Sequence, residues 1–155
     1  MLTLCAALGN HYEARDLHFL AAPLYLQAVS MIPHTNCHAI TLMNNLSISL
    51  ALQNPPPTGG VPSPSSASQI DAARTWANRA ISVDRALQKS PERTEECDQA
   101  CAVTQLNLGE FAEMEGSLQE AKRIYEEGME FSRKVGFQEG VNKGREALRR
   151  LDKRK

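Results

Sequence analysis

Aromatic residues are scarce in this chain, at 5% of 155 positions, with one Trp, three Tyr and four Phe. So few rings exclude the usual core of a β-sandwich. Charge of either sign is also missing in excess. Lys plus Arg number 17 against 18 Asp plus Glu, for a net charge of −1. Phosphate backbones want a net basic face, so nucleic acid is excluded as the main partner. No apolar run approaches the roughly 18 residues that span a bilayer, so no membrane segment is expected here. The opening Met1-Leu2-Thr3-Leu4-Cys5-Ala6-Ala7-Leu8 is apolar, but no basic residue precedes it and it stops at Gly9-Asn10. That makes a poor signal peptide. Arg15 is the one basic Lys or Arg before Arg74, which also excludes an Arg-rich transit peptide, so any targeting signal is expected outside this chain. Four cysteines, Cys5, Cys37, Cys97 and Cys101, are too few for a disulfide scaffold at this length, and buried reduced thiols are expected. His34, Cys37 and His38 cluster, but with Cys97 and Cys101 they match no standard zinc spacing. Neither a metal nor a cofactor is expected.

What the chain does have is helical periodicity. Apolar residues recur at three- and four-residue spacing over 3–14, 18–31, 38–53, 69–88, 92–115, 118–134 and 138–152, and no segment alternates with a period of two. The chain is expected to be all-α. Five of the eight prolines fall between Pro55 and Pro64, and Ser65, Ser66 and Ser68 extend that stretch. Such a composition buries little, so a disordered insertion is expected over 54–68. Gly9, Gly109 and Gly116 interrupt the helical patterns. A helical Gly costs about 1 kcal/mol relative to Ala, so close packing against a neighbouring helix is expected at these positions. Acids dominate residues 92–130, eleven against three bases, and bases dominate 143–155, seven against two acids. Part of the basic tail complements a helix C-terminus and the rest reads as a solvated end.

Small and aromatic residues repeat. Cys5-x2-Leu8-Gly9-x2-Tyr12 is followed by Ala21-x3-Tyr25, Ala28 and Pro33, and the spacing returns in Leu108-Gly109, Gly116, Ala121-x3-Tyr125 and Gly128. Leu46, Leu50, Ala73, Ala77 and Ala80 keep the small-residue spacing of a middle copy, stretched by the proline-rich insertion. This order resembles the tetratricopeptide repeat (TPR). The resemblance implies a right-handed α-solenoid in one domain spanning 1–155, with repeats at about 2–35, 40–87 and 102–135 and a capping helix over 138–152. Asn44-Asn45-Leu46, Pro91 to Asp98 and Asn107 to Glu113 are also similar to fungal TPR adaptor subunits of the mitochondrial inner-membrane i-AAA protease. More distantly, the chain is similar to a TPR assembly factor of a respiratory complex. The adaptor likeness implies the soluble portion of an inner-membrane protein that presents substrates to an AAA protease.

TPR grooves are lined by the first helix of each repeat. Asn10, Asn45 and Asn107 are expected there, because an amide can donate to a peptide carbonyl and accept from its N–H. Glu110 and Glu113 on the third such helix would favour basic stretches. TPR co-chaperones clamp a C-terminal carboxylate with cations, and here Ala6, Val103 and Asn107 fall at those positions. An unpaired buried carboxylate costs several kcal/mol, which disfavours that alternative. All four histidines, His11, His18, His34 and His38, lie in the first quarter, with no strand–turn–helix to expose a nucleophile, so no catalytic residues are expected.

Overall fold

The computed structural model describes residues 1–53 and 67–153. Among these the chain is helical throughout: α1 (Leu2–Glu13), α2 (His18–Met31), α3 (Cys37–Leu52), α4 (Ala67–Leu87), α5 (Glu95–Met114), α6 (Leu118–Lys134) and α7 (Gln138–Asp152). The expected insertion over 54–68 lies outside the described residues except at its end, where Ala67 and Ser68 open α4 rather than continuing a loop. The Gln69 side-chain amide donates to the Gln53 carbonyl at 2.9 Å, drawing together the two ends that flank the insertion.

The local chemistry explains the limits. Asn36 is extended and its side chain accepts from the His38 N–H at 2.8 Å, capping α3. Pro33 holds Ile32 in the extended region and ends α2. Glu95, Glu96 and Asp98 occupy the first turn of α5, where acids complement the helix dipole. Gly116 and Gly136 adopt positive φ, +78° and +71°, in the turns after α5 and α6. Gly116 was expected at a helix contact. A Cβ there would meet nothing within 4 Å, so it is present for its backbone freedom. The equivalent turn after α1 is made by Asp16 at φ 57°, the one non-glycine residue with positive φ among the described residues. Asp16→Gly is therefore expected to stabilise the fold by about 0.5–1 kcal/mol, read from urea melts, and Asp16→Val to destabilise it.

The helices stack as neighbouring pairs, α1 with α2, α3 with α4 and α5 with α6, and α7 closes on α6. The first helices also touch one another, α3 against α5 and α5 against α7, forming one layer of a TPR-like α-solenoid. Within the outer pairs an aromatic ring fills the gap: Tyr25 is fully buried beside Ala21 and Ala28, and Tyr125 beside Ala121 and Gly128. The middle pair has no such ring. Ala73, Ala77 and Ala80 are all at 0% exposure, so small residues let α4 approach α3 closely, with Val83 and Leu87 of α4 packed beside Ile40, Met43 and Leu46.

Leu8 departs from its expected place. It is 38% exposed, whereas Leu108, one hundred residues later, is 9% exposed among Ile70, Ala73 and Ala77. The physical reason is the neighbour: α4 covers that face of α5, and among the described residues no element packs there on α1.

The cysteine expectation is corrected as well. Cys37 and Cys97 form a disulfide across 60 residues, joining the N-terminal ends of α3 and α5, with a Cα–Cα distance of 4.8 Å. Cys5 and Cys101 are free and buried. Helix pairing brings the Cys37 and Cys97 backbones together, which sequence spacing could not reveal. Burial first, then the charge of Asp84, pushes the Cys101 thiol up to about 12.

Candidate functional site

Two tyrosine–glutamate pairs, one hundred residues apart, organise the layer of first helices. In the first pair of helices, Tyr25 from α2 turns its hydroxyl toward the C-terminal end of α1. Its single proton has two acceptors in reach, the Asn10 Oδ1 at 2.7 Å and the Glu13 carboxylate, and Asn45 from α3 also bonds to the hydroxyl. Glycine makes this possible. A Cβ at Gly9 would lie 2.7 Å from the Tyr25 ring, so no larger residue fits beneath it. In the third pair Gly109, Tyr125 and Glu113 repeat the arrangement, with Tyr125 Oη donating to Glu113 Oε2 at 2.9 Å.

The two copies differ in what the following helix contributes. Arg150 of α7 grips Glu113 with two donors, Nε to Oε1 at 3.1 Å and Nη2 to Oε2 at 2.7 Å. Glu113 has a side chain 9% exposed, so this fork neutralises a nearly buried charge. Its hydrogen bonds and the Glu113 charge hold the Arg150 guanidinium well above its ordinary range, against the pull of burial. One hundred residues earlier, α3 places Leu50 where α7 has Arg150, and Met43 where α7 has Lys143. Glu13 has no cation paired with it among the described residues.

The five expected groove residues are thus distributed unevenly. Asn10 is exposed and Asn45 is half-buried, and both meet at Tyr25. Asn107 is buried at 4% exposure and donates to Asn44 Oδ1 at 2.8 Å, forming a rung between α5 and α3. Glu113 is engaged by Tyr125 and Arg150. Glu110 is exposed on α5, though neighbouring residues shield part of its carboxylate from water. That desolvation raises its pKa, while Lys143 and Arg150 lower it. Glu13, three residues after Asn10, is a further member of the site that the groove pattern does not single out; its match to Glu113 in the repeat is the available signal.

Both buried tyrosines titrate far above the ordinary value of 10, through burial first and then the hydrogen bond and charge of their glutamates. An unfolded chain ionises them near 10, so the folded state has its full stability below that pH and loses it as pH rises beyond. The slope is about 1.4 kcal/mol per pH unit for each ring. Phenolate absorbance near 295 nm should show Tyr25 and Tyr125 still protonated at pH 11 in the folded protein, with the urea midpoint falling steadily from pH 10.

A second concavity lies on the other side of the stack. Helices α4 and α6 leave a cleft of about 810 Å³ between them, floored by Ile81, Leu108, Ile124 and Phe131. Ion pairs rim it: Arg74 holds Glu115 and Glu120, the latter at 2.7 Å, and Arg123 pairs with Glu127 at 2.6 Å.

No protein-family model matches the chain. It is 30% identical over 135 residues to a TPR repeat-containing protein of Schizosaccharomyces pombe, an alignment covering 86% of this chain and 36% of that relative. The chain therefore spans about a third of the relative's length. That likeness, joined to helices stacked in neighbouring pairs around recurring glycine–tyrosine contacts, supports reading the chain as a TPR protein.

Proposed function

We propose that this chain is a non-catalytic interaction scaffold that binds an extended peptide segment along the layer of first helices, α1, α3 and α5. The observation that carries this reading is the unequal use of its polar groups. Asn107 and Glu113 are consumed inside the stack, whereas Asn10, Asn45 and Glu110 keep access to solvent on successive first helices. An accessible amide can satisfy both backbone groups of a peptide residue, with a net contribution of about 0.5–1.5 kcal/mol per hydrogen bond. The acids add a part that salt weakens, because exposed charges are screened over about 8 Å at physiological ionic strength.

The experiment is photo-crosslinking from positions 10 and 110, with a crosslinker at position 126 in the α4–α6 cleft as comparison. Peptide capture at 10 and 110, with capture from 110 lost in a folded Asn10→Ala/Asn45→Ala variant, is the expected result. Capture confined to position 126 would move the site to the outer cleft. The finer reading is an adaptor that hands substrates to a mitochondrial inner-membrane protease, supported by the likeness in Asn107 to Glu113. It requires capture of many unfolded segments and recovery of the protein with the inner membrane on fractionation. A respiratory-complex assembly factor would instead retain one fixed subunit.

A further inference from the structure

We propose that the Tyr25–Glu13–Asn10–Asn45 cluster is a receptor for an arginine side chain of the bound segment. The inference rests on the peptide-binding reading above and names one of its subsites. The argument comes from the protein's own internal copy. Gly9, Glu13 and Tyr25 recur as Gly109, Glu113 and Tyr125, and both glycines lie under the edge of their tyrosine ring. In the second copy this pair binds a guanidinium: Arg150 forks onto both oxygens of Glu113 and its Nη2 lies 3.4 Å from the Tyr125 hydroxyl. In the first copy the carboxylate and the hydroxyl are in place, and the following helix supplies Leu50 instead of a cation.

Two further differences suit a guanidinium arriving from outside. Where the second copy has Glu110, the first has Asn10, whose amide oxygen already faces the Tyr25 hydroxyl and whose remaining lone pair can accept an N–H. Asn45 of α3 reaches the same hydroxyl, so the subsite joins α1 to α3 as Glu113 and Arg150 join α5 to α7. The nearest arginine in sequence, Arg15, is held away on the His11 ring and the His11 carbonyl, each at 3.0 Å. Guanidinium fits better than ammonium, because a planar fork can meet a carboxylate and an amide oxygen together.

The probe is N-acetyl-arginine methylamide, titrated into the nitrogen-15-labelled chain and followed by NMR on the Asn10 and Asn45 side-chain amides. Saturable shifts of those resonances are expected. The neutral citrulline analogue should bind about tenfold more weakly, since it keeps the shape and loses the charge. Glu13→Gln retains an acceptor for Tyr25 and should lose the same factor. Leu50→Arg copies Arg150 into the first unit and should block the probe. Equal binding of arginine and citrulline, or an unchanged response in folded Glu13→Gln, overturns the proposal. Peptides of about ten residues, with and without one arginine, separate this idea from the one beneath it. Equal capture of both sets keeps the groove and removes the arginine subsite. Binding of the small probe alone, with no peptide captured, supports the subsite and removes the groove.

Discussion

Removing the Cys37–Cys97 disulfide is expected to lower the unfolding free energy by about 4 kcal/mol on the chain-entropy account. The bridge closes a loop of 60 residues, and that loop contains α4 together with the 13-residue stretch 54–66. In the unfolded chain such a loop has many conformations, and the cross-link removes a large share of them. In the folded state the bridge sits where α3 and α5 start side by side, and Thr94 at the head of α5 donates toward the Cys37 sulfur at 3.5 Å. Domains of this size are stable by about 5–15 kcal/mol in total, so the loss would be a large fraction. The measurement is a pair of urea melts with and without reductant, repeated with Cys37→Ala/Cys97→Ala so that no thiol is left behind. Thiol counting in denaturant without reductant should find the two free cysteines, Cys5 and Cys101, out of four. A change below about 1 kcal/mol would show that the unfolded chain is restricted by something other than the bridge.

Tyr125→Ala is expected to cost about 3–5 kcal/mol, the usual range for emptying a buried aromatic position. Its ring is 1% exposed, lies against the Gly109 backbone, and carries the hydroxyl that anchors Glu113. Gly109→Ala should cost about 1–3 kcal/mol for the opposite reason, overpacking. The added Cβ would stand 2.6 Å from the ring atoms Cδ1 and Cε1, and the ring cannot move without breaking its bond to Glu113. The two effects must be strongly non-additive. Once Tyr125 is Ala, the space above Gly109 is open, and Gly109→Ala should become neutral or gain up to about 1 kcal/mol of helix propensity. A double-mutant cycle by urea melts checks this. Additive losses would mean that the glycine answers to a different neighbour.

Helix content and the order of small residues were legible because they are local. The three- and four-residue apolar spacing placed 18–31, 118–134 and 138–152 at the observed limits of α2, α6 and α7. The glycine-to-tyrosine spacing named the two contacts that hold the outer pairs. The role of Gly116 was not legible, since a glycine in a turn and a glycine under a ring look alike in sequence until the backbone angle is known. The paired charges were equally hidden. Arg93 joins the buried Asp84 at 2.7 Å and also Asp98, tying α4 to α5, whereas its sequence context shows only a surplus of acids.

The candidate site was only partly visible for the same reason. Periodicity put Asn10, Asn45, Asn107, Glu110 and Glu113 on helix faces, and the resemblance to tetratricopeptide repeats implied that those helices are the first of each pair. Whether a polar side chain on that face meets a partner or solvent depends on the next helix, and that is set by stacking between units. Asn107 is taken by Asn44 and Glu113 by Arg150, while Glu13 has no cation paired with it among the described residues, and Leu50 stands at the sequence position that matches Arg150. The pairing of Cys37 with Cys97 follows the same logic. The helices and their repeat can be read directly from the residue order, since these depend on residues a turn apart. Which cysteines bond, and which of the two matching glutamates meets a cation among the described residues, was settled by stacking, since those contacts join side chains 37 to 60 positions apart.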